Sequence, residues 1–323
     1  MVRRLSKVIS ILCRLALAVL LLVQAGSRAD EKPVRIGYQK YGTLLQLKES
    51  GILEAALKPQ GIAVEWHEFP AGPPLLEALN VGAIDFGTTG EAPPIFAQAA
   101  GAPLVYVGVG APAPHGEAIL VAKDSPIHAV TDLKGRKVAL NKGANAHYLL
   151  VRVLEDAGLS YSDIKPVYLA PADARAAFEQ GAVDAWAIWD PYFSSAQHST
   201  GARILADGLR ADGQPLVSNH QFHMATRQFY ATRPAVVRII LDSLNKADAT
   251  LRDNIPDAAR RISPLTGIPP AVLETAFSRM GYGIGPMTPE IAAEQQKIAD
   301  TFQRLGLIPK HITIADALPG AAP

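Results

Sequence analysis

GAIDFGTTGEAPP, residues 82–94, is repeated in outline by GAVDAWAIWDPY at residues 181–192. Each copy has a glycine that ends a predicted helix, then an apolar residue, an aspartate, a short apolar strand and a polar turn before a proline. Two copies of one plan predict two α/β units. Because open α/β sheets bind ligands at the carboxyl ends of their strands, we expect the two turns to face one cleft.

Strands alternate with helices through the rest of the chain from Pro33 onward, which predicts two mostly parallel, mixed sheets flanked by helices. The proline-rich run at 111–114 separates the two units. We expect residues 30–118 and 222–323 to form a discontinuous lobe 1 and residues 119–221 to form lobe 2.

The chain is predicted to pass between the lobes twice, near residues 117–122 and 219–225. Two such crossings make a hinge, and closure about a hinge is a common way to enclose a ligand.

The N-terminus has the layout of a secretory signal peptide over residues 1–29. Met1–Lys7 is basic, Val8–Val23 is mostly apolar, and small residues follow. A membrane anchor is the alternative, but Arg14 interrupts the apolar run and leaves less than the roughly 20 residues that span a bilayer. The sequence therefore predicts export to the periplasm.

Composition excludes several classes of protein. The formal net charge is +1, and it becomes −4 once the five basic residues of the predicted signal peptide are removed, so no nucleic-acid partner is expected. The single cysteine, Cys13, lies in that segment, which excludes disulfides, thiolate metal sites and a cysteine nucleophile from the mature chain. Nucleotide-binding, hydrolase and metal motifs are missing from the sequence, so we expect no catalytic residue, metal or cofactor.

A glycine-containing loop, NKGANAH at 141–147, follows a predicted strand and opens a predicted helix. The first N–H groups of a helix have no intrahelical acceptor, and with the helix dipole they suit a sulfonate, phosphate or carboxylate. The alternative is that Asn145 caps the helix. The two roles are compatible.

In the first copy of the repeat, residues 88–91 (TTGE) are predicted to form a similar turn, with Pro93 and Pro94 starting the next helix. An ordinary helix-start loop is the alternative. A carboxylate at Glu91 would compete with an anionic ligand, so we expect Glu91 to hydrogen-bond across the cleft or to stabilise its own helix.

The second copy of the repeat is aromatic. Alternation along the strand predicts that Trp186 lies in the core and leaves Trp189 and Asp190 at the turn, where Trp189 could form an apolar wall of the cleft. Gln39 and Tyr41 follow the first strand and are expected at the same edge of lobe 1.

The sequence resembles the aliphatic-sulfonate-binding periplasmic receptors of ABC importers. The matching runs lie in order at residues 34–40, 68–109, 132–143, 171–193 and 295–310. The resemblance implies a type II periplasmic binding fold and non-enzymatic capture of a sulfonate for sulfur acquisition. It also implies a monomer that delivers its ligand to a membrane permease driven by a separate ATPase. The ligand-binding residues it implies are Gln39, Thr89, Gly90, Glu91, Asn145, Ala146, His147, Trp189 and Asp190.

Two departures from the family pattern leave the ligand open. The helix start reads KGANAHY where the family often has KGSSSHN, so hydroxyl donors are missing, and Glu91 stands where the family often has Asp. Taurine, longer alkanesulfonates, aromatic sulfonates and sulfate esters all fit the resemblance. Receptors for nitrate or bicarbonate, an enzyme of thiamine-pyrimidine synthesis and a ligand-loaded partner of a sensor protein are the alternative functions.

Overall fold

Two β-sheets organise the computed structural model, which describes residues 32–321. The strands are β1 (Val34–Tyr38), β2 (Val64–Glu68), β3 (Phe86–Thr89), β4 (Leu104–Gly110), β5 (Glu117–Val121), β6 (Lys137–Leu140), β7 (Lys165–Tyr168), β8 (Ala185–Trp189), β9 (Arg203–Asp207), β10 (Phe222–Thr226) and β11 (Ile284–Gly285). The α-helices are α1 (Thr43–Ser50), α2 (Ile52–Leu57), α3 (Gly72–Asn80), α4 (Ala92–Ala99), α5 (Asn145–Asp156), α6 (Pro171–Glu179), α7 (Tyr192–Thr200), α8 (Arg227–Thr232), α9 (Pro234–Asp253), α10 (Ile255–Thr266), α11 (Pro270–Ser278) and α12 (Pro289–Arg304).

The two sheets share one strand order. Lobe 1 is built on the sheet β2-β1-β3-β10-β4-β11, and lobe 2 on the sheet β7-β6-β8-β5-β9. In lobe 1, β10 and β11 run against the other strands, and in lobe 2 only β5 does. The predicted two-lobed α/β fold with mixed, mostly parallel sheets is confirmed, and the repeated segments contribute equivalent strands, β3 and β8.

Glycines set several helix ends. Gly82 and Gly181 lie just after α3 and α6 with φ of 70° and 69°, so the chain can leave each helix in a left-handed turn. The sequence predicted one helix over residues 43–57. That prediction was wrong because Gly51, with φ of 65°, ends α1 and begins α2.

Apolar side chains pack on both faces of each sheet. In lobe 1 the strands lie between a cluster that includes α9 and one that includes α4 and α12. In lobe 2 the two clusters are formed with α5 on one face and with α6 and α7 on the other. Trp186 is fully buried against Phe178, as predicted.

Two segments join the lobes. Residues 111–116 lead from β4 into β5, and residues 208–221 lead from β9 into β10. They hydrogen-bond to each other, as in the bond from the Ala113 N–H to the Ser218 carbonyl at 2.9 Å. The first crossing therefore precedes the range expected from sequence, 117–122, and the second begins before the expected range of 219–225 and ends within it, because β5 and β10 lie wholly within the sheets.

Within residues 32–321, the helices are each too short or too polar to cross a membrane. The predicted signal peptide, residues 1–29, lies outside the described part of the chain.

Candidate functional site

A cavity of about 440 Å³ lies between the lobes, where β1, β3 and β8 end. Of the nine residues predicted to bind the ligand, four line it: Gln39, Gly90, Asn145 and Trp189. The remaining five lie behind its walls: Thr89, Glu91, Ala146, His147 and Asp190.

Thr88, rather than Thr89, faces the cavity from lobe 1. The sequence placed both in a turn, whereas β3 continues through Thr89, so their side chains point to opposite faces. Thr89 is fully buried beside Gly72, and Thr88 hydrogen-bonds to Nδ1 of His223 at 2.7 Å. Gln39 donates to the Thr88 carbonyl at 3.4 Å.

His223 adds a neutral imidazole to this wall. It lies on β10, which pairs with β3 so that His223 is opposite Thr88. Burial lowers the pKa of His223 to about 3, so the ring carries no charge near neutral pH. Sequence reasoning assigned no role to His223, because nothing local indicates which strands β10 joins.

Asn145 joins both lobes to the hinge. It is the first residue of α5, whose N-cap is Ala144, so the alternative role considered for Asn145, that of helix cap, does not hold. Its Oδ1 accepts from the Ala92 N–H of lobe 1 at 3.2 Å, and its Nδ2 donates to Oδ1 of Asn219 at 2.7 Å. Asn219 in turn donates to the Ala113 carbonyl at 2.9 Å, which ties the second crossing to the first.

The next two residues of α5 point away from the cavity. Ala146 packs in the core of lobe 2, and His147 is fully buried against Phe96 and Phe302 of lobe 1. Burial lowers the pKa of His147 to about 4, and its Nδ1 accepts from the Gly143 N–H. His147 therefore belongs to an apolar contact between the lobes, and the helix start reaches the cavity through Ala144 and Asn145.

Glu91 turns toward the hinge. It accepts hydrogen bonds from the backbone of Asn219 and His220, and burial raises its pKa to about 8. Burial and the neighbouring Glu91 also raise the pKa of Glu117, the first residue of β5. Glu91 therefore bonds to backbone groups of the hinge rather than across the cleft.

Trp189 and Asp190 have different surroundings. Trp189 ends β8, is half-buried, and lines the cavity with its ring edge-on to Tyr192 at 6.1 Å between centroids. Asp190 is fully buried and accepts from the Ser194 N–H and hydroxyl at 2.9 and 2.5 Å.

Five charged residues line the cavity wall. They are the cations Lys40, Arg175 and Arg279 and the acids Glu68 and Asp248. Lys40 pairs with Glu68 at 3.5 Å, and burial raises the pKa of Asp248. Among residues 32–321 no cluster of histidine, cysteine and acidic side chains could hold a metal ion.

A sequence profile described as NMT1/THI5 like matches residues 57–259, which is more than half of the chain. The chain belongs to the NMT1/THI5-like family.

Relatives in this family are sulfonate-binding proteins. One from Escherichia coli K12, whose name assigns it to aliphatic sulfonate binding, is 47% identical over 93% of this chain and 94% of its own. The alkanesulfonate-binding protein SsuA from Xanthomonas axonopodis pv. citri, solved with bound MOPS, superposes with a TM-score of 0.85 at 42% identity, over 90% of this chain and 99% of that one. The periplasmic aliphatic sulphonate binding protein SsuA from Escherichia coli gives 0.81 at 45% identity, over 90% and 93%.

Glu91 makes the stability of this family member depend on pH. Because its pKa rises from 4.5 to about 8 on folding, its stabilising contribution is complete below pH 4.5 and is lost as the pH rises through about 8. We expect the melting temperature of the mature protein, measured relative to that of Glu91→Gln, to fall as the pH is raised from about 5 to 8.5. The fall should be several times the roughly 2–4 °C that corresponds to a change of 1 kcal/mol in the free energy of unfolding.

Calorimetry of both proteins across this range measures the difference. Glu294→Gln is the control, since its side chain is 53% exposed in the same region. His147 and His223 have lowered pKa values, so their protonation lowers the stability of the folded state only as the pH falls. Because both histidines are present in wild type and in Glu91→Gln, this effect is common to the two proteins. Parallel curves for wild type and Glu91→Gln would contradict the prediction.

Proposed function

We propose that this chain is the periplasmic receptor of an ABC importer, that it captures aliphatic sulfonates between its lobes, and that it delivers them to a membrane permease driven by a separate ATPase. Sulfur acquisition is the corresponding physiological role. The observation that carries the proposal is the cavity, which both lobes line at their strand ends and which the start of α5 enters, in a chain 47% identical to a sulfonate-binding relative.

The sulfonate group is proposed to lie between the end of β3 and the start of α5. Lobe 2 supplies the start of α5 at Ala144 and Asn145, where the helix dipole favours an anion. Lobe 1 supplies polar groups from Gln39, Thr88 and His223. Backbone and amide donors thus replace the hydroxyl groups that the family often carries at this helix start.

The remaining wall suits an alkyl chain. Apolar surface from Phe69, Trp189, Ile268 and Met280 lines the cavity away from the helix start. The volume of about 440 Å³ lies in the range of small-molecule sites and is large for nitrate or bicarbonate. A receptor for another small anion, taurine or a sulfate ester is the second candidate.

Binding without catalysis is part of the proposal. The mature chain has no cysteine, and His223 is a poor general base because burial lowers its pKa to about 3. We further propose that residues 1–29 direct export and that the receptor acts as a monomer, with lobe boundaries near those predicted from sequence. The Escherichia coli protein SsuA, a periplasmic protein of the same fold, supports a periplasmic location.

Isothermal titration of the mature protein tests the function directly. The panel runs from taurine through longer linear alkanesulfonates, with nitrate and sulfate as controls. We expect binding within the sulfonate series that exceeds binding of nitrate and sulfate, because only the sulfonates fill both the polar and the apolar part of the cavity. A preference for nitrate would replace the proposal by the second candidate.

Closure of the cleft can be tested at Gly90. A Cβ at this position would lie within 2.2 Å of the Asn145 side-chain amide. Gly90→Ala should therefore raise the sulfonate dissociation constant about tenfold or more, which corresponds to about 1.4 kcal/mol. It should also abolish the decrease in radius of gyration that ligand produces in wild-type scattering.

The matched control is the double variant Gly90→Ala with Asn145→Ala, which removes the amide that the added methyl group would meet. It should bind as well as Asn145→Ala alone. If Gly90→Ala binds and contracts like wild type, the lobes do not meet at Asn145 in the bound state.

Trp189 is expected to set the preference for chain length. Trp189→Ala removes apolar contact with the alkyl chain, where each buried methylene is worth about 0.8 kcal/mol. Its affinity loss in the titration series should therefore grow with chain length, whereas Trp189→Phe should retain most of the dependence. An equal loss for every chain length would mean that the ring has only a structural role.

A further inference from the structure

Arg279 reaches from lobe 1 into lobe 2 beside the cavity. It follows α11, whose apolar residues pack in the lobe 1 core. Its Nη1 donates to Oδ2 of Asp190 at 3.3 Å and to the Ser194 hydroxyl at 3.1 Å. Its Nη2 donates to Oε1 of Gln197 at 3.0 Å. One side chain therefore holds three side chains of the opposite lobe.

The guanidinium is also packed. Its Cζ lies 4.0 Å from the ring centroid of Phe193, a distance that gives a favourable cation–π contact. Its partner Asp190 is fully buried and Arg279 itself is only 19% exposed. A buried ion pair of this kind is costly to break from one side, because the remaining charge is left without a partner.

Separation of the lobes must break this contact. Asp190 lies between β8 and α7 of lobe 2, and Ser194 and Gln197 lie in α7, whereas Arg279 follows α11 of lobe 1. The contact therefore exists only while the cleft is closed. Since Arg279 also lines the cavity, a ligand that holds the cleft closed also holds the guanidinium beside Asp190.

We propose that Arg279 is a positioning residue that latches the closed cleft and thereby slows release of the bound anion. The latch acts through Asp190, Ser194 and Gln197, of which none lines the cavity. The inference rests on the proposed function, because the latch matters only if a ligand is enclosed. It predicts a common loss of affinity for all sulfonates, in contrast to the chain-length effect at Trp189.

Arg175 supplies a matched control. It also lines the cavity with a positive charge, but it bonds within lobe 2, to Glu179 at 2.7 Å and to Ser199 at 3.3 Å. Arg175→Gln and Arg279→Gln therefore remove the same charge from the cavity wall. Only Arg279→Gln removes a contact between the lobes.

The experiment combines titration with stopped-flow measurement of ligand dissociation on the mature protein, using the alkanesulfonates of the series above. We expect Arg279→Gln to raise the dissociation rate about tenfold or more, by the same factor for every chain length, with Arg279→Lys intermediate. Gln197→Ala should raise the dissociation rate severalfold in the wild-type background and have no effect in the Arg279→Gln background. The four proteins form a double-mutant cycle, in which the effects of two contacting residues are not additive. Ligand-free melting temperatures should change little.

Two results would overturn the latch: equal effects of Arg175→Gln and Arg279→Gln, or additive effects of Gln197→Ala and Arg279→Gln. The wild-type titration separates this outcome from failure of the proposed function. If the wild-type protein binds nitrate or sulfate in place of sulfonates, the proposed function is wrong. The same variants, measured with the anion that binds, then still test the latch. If wild type binds no anion of the panel, both proposals fail.

Discussion

The amide of Asn145 links the moving parts of this protein. Its oxygen accepts a hydrogen bond from the Ala92 N–H of lobe 1, and its nitrogen donates to Asn219 in the hinge. The same residue begins α5 in lobe 2. The cavity exists in its present shape because these three elements meet there. Gly90 must lack a side chain because the same amide occupies the space that a Cβ would need.

Contacts on three sides of the cavity hold the lobes together. Arg279 joins them beside the ligand cavity, and Asn145 joins them at its inner end. Farther from the cavity, His147 packs between Phe96 and Phe302, and Arg304 pairs with Glu155 at 2.6 Å. Arg279 and Asn145 line the cavity, whereas the aromatic contact and the Arg304–Glu155 pair do not.

Sequence reasoning succeeded where the signal is local and periodic. The repeated segments predicted two equivalent strands, and alternation placed Trp186 in the core. It placed Thr88 and Thr89 in a turn, whereas β3 continues through Thr89, so alternation along the strand leaves Thr88 and not Thr89 at the cavity. Asn219, His223 and Arg279 were not predicted because each reaches the site from a distant part of the chain. Only the three-dimensional fold brings them there, and no local pattern encodes it.

The strand order also has a consequence for how the chain assembles. In lobe 1, β10 lies between β3 and β4, although more than a hundred residues, including the whole of lobe 2, separate it from β4 in sequence. Lobe 2 is one continuous segment and can complete its sheet from its own strands. Lobe 1 keeps a gap in the middle of its sheet until residue 226 is available. Synthesis therefore completes the inserted lobe before β10, which fills this gap, is available.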